Sequence, residues 1–217
     1  MAIYPPSKSD VETVKLYTSL MEEIKIRIHT INTLAGGPTE LMPIIVQEIC
    51  FLQLRLICEL IALGCLAAHG DIKATEASKF RKEYSADKIL TQLQGLHSDF
   101  YPFPTRDITP PGKGGSVIQL ELLKDGNFLK KFELLKLYGQ TGNHLHRGSM
   151  KKLLSPSTPI NSSYSEISKW AIKIVDLLEF HTISRLSGNP LVCVMKNTLQ
   201  AGRVTVQIYG PGPPLTR

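Results

Sequence analysis

Cysteine and tryptophan are scarce in this chain of 217 residues: there are four of the first and one of the second. No Cys-x-x-Cys pair occurs, so a structural zinc site is not expected. Cys58 and Cys65 stand seven residues apart on one apolar stretch. On a helix that is about 10 Å along the axis, too far for a disulfide. Buried free thiols in a reducing compartment are the expectation for Cys50, Cys58, Cys65 and Cys193. The familiar catalytic signatures are missing too. There is no His-Glu-x-x-His, no Gly-x-Ser-x-Gly and no Gly-x-Gly-x-x-Gly. Pro111-Gly112-Lys113-Gly114-Gly115 looks like a phosphate loop only on the surface. Asp107 stands where the first Gly should be, and Gly114 follows the Lys in place of Ser or Thr. The start, MAIYPPSKSD, lacks the basic and then apolar order of a secretory leader. Long runs of Lys or Arg are absent as well. The net charge of +6 therefore permits an anionic partner without requiring one.

What the chain does have is a stretch from Leu41 to His69, LMPIIVQEICFLQLRLICELIALGCLAAH, apolar on nearly every side. That is how a central, buried helix reads. It is long enough to span a bilayer, but Glu48, Gln53, Arg55 and Glu59 would sit at mid-depth, where charge is costly. A soluble, cytoplasmic protein with no membrane partner is the expectation.

Helical spacing of Val14, Tyr17, Leu20, Met21, Ile24, Ile28 and Ile31 predicts an amphipathic helix over 11–34, with Asp10 as its N-cap. Ala35-Gly36-Gly37-Pro38 ends it, and Pro38 or Thr39 opens the central helix. Two long helices joined by so short a turn should pack antiparallel. Shorter helices are expected over 75–84 and 86–97. The density of Pro and Gly in 99–115 predicts a long surface loop. Partial alternation in 117–123 suggests a short strand. Asn127 should cap a helix with Phe128, Phe132, Leu135 and Leu129 facing inward. A third long helix is expected over 165–186, with Ile167, Trp170, Ile174, Leu177, Leu178 and His181 on or near its apolar face. Ser187-Gly188-Asn189-Pro190 stops it. The runs 191–195 and 203–209 then predict a terminal hairpin, with Val204, Val206 and Ile208 on one face. The fold class expected is α+β, mainly α: an antiparallel helical bundle with a small C-terminal β-hairpin. Residues 1–186 form the bundle, with a loop and strand insertion near 99–126. Residues 187–217, the hairpin and a loose tail, pack on the same domain.

Two groups of residues could carry chemistry. At 100° per residue, Glu48, Arg55 and Glu59 fall within about 40° of one another on the central helix. Arg55 and Glu59 can pair, and the stripe reads as the wall of a polar pocket, as a structural ion pair, or as a solvent-facing face. The second group is Asn143-His144-Leu145-His146-Arg147. His146 or His144 could serve as a general base near neutral pH, and Arg147 could hold a phosphate. Alternatively, Gly142 and Gly148 mark a helix end where such cations favour the dipole. Spacing of two between the histidines, with no third ligand nearby, argues against a metal, and no cofactor is expected.

The order of a long helix carrying Leu54-Arg55-Leu56-Ile57-Cys58-Glu59-Leu60 and a later Tyr138-x7-His146 segment resembles bacterial HEPN-type helical bundles. Active members of that family are metal-independent ribonucleases with an Arg-x4–6-His motif, usually used as dimers. The resemblance implies His146 as the catalytic histidine and a homodimer. Positions 139–141, where the Arg should fall, are Gly-Gln-Thr. Counted back from His144, the corresponding positions are Leu137, Tyr138 and Gly139. The expected function is therefore a binding or interaction protein that recognises RNA, a nucleotide or a partner protein. It would use Arg147, Arg55, Glu59, Glu48, Asn143 and Tyr138. A divergent ribonuclease based on His146 and a structural oligomerisation bundle are the alternatives.

Overall fold

The computed structural model describes residues 7–70, 82–109, 119–145, 160–195 and 202–210, with the side chains of 160–163 excepted. Among these residues five helices and five strands follow in the order α1 (Lys8–Gly36), α2 (Pro43–Ala68), α3 (Ala86–Leu96), β1 (Phe103–Asp107), β2 (Leu120–Leu122), α4 (Lys131–Leu145), α5 (Ile160–Leu178), β3 (Phe180–Ile183), β4 (Leu191–Val194) and β5 (Thr205–Ile208). The α+β, mainly helical class expected from the pattern is what the chain adopts. The helix expected over 75–84 lies outside the described residues, apart from 82–84, which are not helical.

Local chemistry explains where the helices begin. Ser7, not Asp10, caps α1. Its hydroxyl accepts from the Asp10 N–H, and the Asp10 carboxylate accepts from the Ser7 N–H, which makes a capping box. The sequence reading placed the cap three residues late because Asp is itself a good cap. The central helix starts at Pro43 rather than at 38 or 39. A proline disfavours helical geometry in the residue before it, and Met42 is accordingly extended, with ψ 138°.

α1 and α2 pack antiparallel. Arg27 donates to Gln53 near one end of the pair, and Gly64 lies against Tyr17 and Met21 near the other. A Cβ on Gly64 would come 3.3 Å from both side chains, so glycine here sets how closely the helices approach. α4 runs antiparallel to α2, and the Tyr164 hydroxyl on α5 donates to the Pro43 carbonyl. α2 is thus surrounded, with Cys50, Leu54, Ile57, Cys58, Ile61 and Cys65 buried. It is long and apolar enough to cross a membrane, yet over half of its most apolar window is buried inside the fold. The four cysteines are free and buried.

The sheet is larger than a terminal hairpin. All five strands join in the order β2-β1-β3-β4-β5, each pair antiparallel. β4 and β5 form the expected hairpin, with Val204, Val206 and Ile208 buried. β1 lies inside what reads as surface loop. Pro104 is tolerated there because it stands second in its strand, and its carbonyl accepts from the Leu123 N–H. β3 lies inside what reads as the end of the third long helix. The helix stops at Leu178, and Phe180-His181-Thr182-Ile183 pairs with β1 and β4 on either side. On α4 the inward residues are Leu134, Leu137, Tyr138 and Thr141. Phe128 and Leu129 are buried ahead of it, but Phe132 is 65% exposed and Leu135 is also on the surface. The helix begins at Lys131, four residues past Asn127, and the Glu133 carboxylate accepts from the Lys130 N–H at its start.

One continuous core includes residues of the helices and Ile183, Leu191, Cys193, Val206 and Ile208 of the sheet. The other face of the sheet carries a small cluster of Leu120, Val192 and Tyr209 against Phe180.

Candidate binding wall between the second and fourth helices

The residues singled out in the sequence meet in part. α2 and α4 bring Arg55, Glu59 and Tyr138 together. The Arg55 guanidinium lies 4.1 Å from the centre of the Tyr138 ring, its Nη2 donates to the Tyr138 hydroxyl at 2.8 Å, and its Nη1 donates to the Tyr138 carbonyl at 3.4 Å. Glu59 Oε1 lies 3.4 Å from Arg55 Nε and accepts from the Tyr138 hydroxyl at 3.3 Å. The Arg55–Glu59 pairing expected from i,i+4 spacing is therefore present, with a tyrosine that neither residue announces as its third member. The cluster is half-buried. The carboxylate balances the guanidinium, so the group as a whole carries no net charge.

Toward the start of α2, the His144 ring lies flat on Phe51, with centroids 3.7 Å apart and planes within 4°. Phe51 is buried and His144 is exposed. Antiparallel packing explains the register: moving six residues along α4, from Tyr138 to His144, moves back along α2 from Arg55 to Phe51. Glu48 is half-buried and takes no part in the Arg55 cluster, and Asn143 is exposed on α4. His146 and Arg147 lie outside the described residues. Phe51 escaped the sequence reading because it looked like any other apolar residue of a core helix.

Tyr138→Phe tests how much the polar cluster contributes. The ring and its contact with the guanidinium survive, while one donor and one acceptor vanish. We expect a loss of about 1 kcal/mol in urea unfolding, the size of a partly exposed hydrogen bond. A loss above about 3 kcal/mol would mean that the cluster is a buried keystone instead.

Two buried histidines also make polar contacts elsewhere among the described residues. His181 and Tyr17 meet with the Tyr17 hydroxyl 2.6 Å from His181 Nε2. His69 Nδ1 lies 2.8 Å from the Cys65 carbonyl oxygen, and its Nε2 lies 3.1 Å from His97 Nδ1 and 3.0 Å from the Ser184 carbonyl oxygen. Neither group was legible in the sequence, since partners 28 to 164 positions apart leave no local signal. Burial pushes the His181 pKa down to about 4, against a weaker opposing hydrogen bond to the Leu178 carbonyl. Burial also raises the thiol pKa of Cys50 to about 11 and of Cys58, Cys65 and Cys193 further still, so none is a ready nucleophile at neutral pH. Among the described residues no group of three His, Cys, Asp or Glu could hold a metal ion.

A groove of about 330 Å³ lies elsewhere, between α1 and α5. Its floor is Ile28, Ala171 and Val175, and its rim includes Asn32, Ser168 and Asp176. None of the residues chosen from the sequence lines it. Compared with family models, curated proteins and solved structures, the chain matches none.

Proposed function

We propose that the chain is a non-enzymatic binding protein of the HEPN-like helical-bundle type that takes RNA on the wall between α2 and α4. The observation that carries this reading is the exposed His144 ring resting on Phe51, one to two helical turns from Arg55. A flat ring with a rigid backing suits stacking of an unpaired base, and stacking needs no particular sequence. The net charge of +6 favours an anionic chain. Binding is favoured over cleavage because Arg55 is engaged by Tyr138 and Glu59, so it is not poised to stabilise charge on a reacting phosphate.

The test is fluorescence anisotropy with a labelled single-stranded RNA at low salt, where electrostatic affinity is greatest. Binding should weaken as salt rises, and His144→Ala should weaken it by roughly 5- to 100-fold, the worth of one stacked base. No binding at low salt would end the RNA reading and leave a protein partner or a structural oligomer, which solution mass would reveal as a homodimer or larger. RNA cleavage in the presence of a chelator, abolished by His146→Ala, would replace it with a divergent metal-independent ribonuclease.

A further inference from the structure

We propose that the Tyr17–His181 contact is an acid-operated latch that holds α1 against the junction of α5 and β3 and releases it when the imidazole takes a second proton. The hydrogen bonds define the resting state. His181 Nδ1 lies 2.9 Å from the Leu178 carbonyl oxygen, which can only accept, so Nδ1 carries the proton. Nε2 is then a bare lone pair, and the Tyr17 hydroxyl donates to it. His181 is fully buried and Tyr17 nearly so. A proton on Nε2 turns that nitrogen into a donor, so the Tyr17 hydroxyl must turn and accept, and it places a cation in the core.

Among the described residues no neighbouring group is arranged to balance that cation. His181 pairs across the sheet with Pro104 and Cys193. Around Tyr17 stand Cys65 from α2, Cys193 from β4 and Tyr101 from the segment before β1, all neutral. From α1, the Glu22 carboxylate acts on Cys193 and accepts from the Val204 N–H at 2.7 Å. Arg185, four residues beyond His181, is itself a cation and is bound to Asp10.

α1 is tied to the sheet side of the fold at three places: Asp10 to Arg185, Tyr17 to His181, and Glu22 with Lys25 to the approach of β5, where Lys25 donates to the Gly202 carbonyl at 2.7 Å. Only the middle tie depends on a neutral imidazole. The direction of the pH effect follows from the depressed His181 pKa. A released imidazole accepts a proton below about 6.5, whereas the latched one refuses it down to about 4. The latch is at full strength above pH 6.5 and weakens as the pH falls through that window. The loss approaches tenfold per pH unit, or two to three orders of magnitude by pH 4. Asp10 behaves differently. Burial raises its pKa, but hydrogen bonds from Ser7 and Arg185 outweigh burial and hold it below 3.8, so its tie persists throughout the window.

Hydrogen exchange and histidine NMR on the full chain from pH 7.5 to 4.5 test this. We expect opening at α1 near Tyr17 and at β3 to rise by up to tenfold per unit below pH 6.5, after correction for intrinsic exchange, while α2 keeps its protection. In Tyr17→Phe the same opening should already be raised at pH 7.5, because the hydrogen bond to Nε2 is gone. The His181 ring signal in the wild-type chain should titrate well below 6.5, which tests the idea even if the variant folds poorly. A His181 titrating near 6.5, unchanged opening at pH 7.5 in Tyr17→Phe, or loss of protection in α2 together with α1 would each overturn the latch.

Discussion

Arg185→Ala should destabilise the fold by about 3–5 kcal/mol, the usual cost of removing one partner from a buried ion pair. Arg185 joins three parts of the chain. Its Nη1 donates to Asp10 at the start of α1, its Nε donates to the Ala68 carbonyl at the end of α2, and its backbone enters the turn between β3 and β4. Its side chain is 2% exposed and that of Asp10 is 10% exposed. The bond to Ala68 also places a cation at a helix C-terminus, where the exposed carbonyls concentrate negative potential. Truncation removes all of this and leaves the Asp10 carboxylate with only Ser7 beside it. Urea unfolding, followed by fluorescence of the single Trp170, measures the loss. In a chain of this size it corresponds to roughly 6–20 °C in melting temperature. The double variant Arg185→Met with Asp10→Asn should lose less than the sum of the single variants, because neither then strands a charge. A single-variant cost below about 1 kcal/mol would show that water or another group satisfies Asp10 on its own.

Phe51→Ala should cost about 3–5 kcal/mol, and it should also remove the proposed platform for RNA. Phe51 is 2% exposed in the core around α2, so truncation leaves a cavity that a rigid helix cannot collapse to fill. The stacked contact with His144 is lost as well, worth about 0.5–1.5 kcal/mol on its own. Phe51→Leu separates the two roles. It keeps most of the apolar volume, so its stability cost should stay near 1 kcal/mol. Its RNA affinity should nevertheless fall, since a branched aliphatic chain cannot back an aromatic ring in the same plane. If Phe51→Leu binds RNA as tightly as the wild-type chain, the stacked pair is a packing feature and the proposed recognition mode is wrong.

The helices were the most legible part of the chain. Their signal is periodic and local: Tyr17, Met21, Ile24, Ile28 and Ile31 recur at helical spacing, and each is buried. The i,i+4 pair Arg55–Glu59 was legible for the same reason, because both members ride on one helix face. The terminal hairpin was visible in the alternation of Val204, Val206 and Ile208. The boundaries were less secure where two signals competed, as with Asp10 against Ser7 and Pro38 against Pro43.

Only the tertiary structure decided the rest. Phe103-Pro104-Thr105 reads as loop until β3 arrives to pair with it, and Phe180 to Ile183 reads as helix until β1 and β4 flank it. Strand pairing is a non-local bond, so its partners need share no local pattern. The buried contacts Tyr17–His181 and Asp10–Arg185 join residues 164 and 175 positions apart. Sequence by itself determined the long helices and the buried face of the first, because helical hydrogen bonds close within four residues. Folding alone decided that Tyr138 completes the Arg55–Glu59 pair, that His144 lies on Phe51, and that a neutral imidazole pins the first helix. Those groups acquire their roles from distance and burial, which exist only after distant segments have packed together.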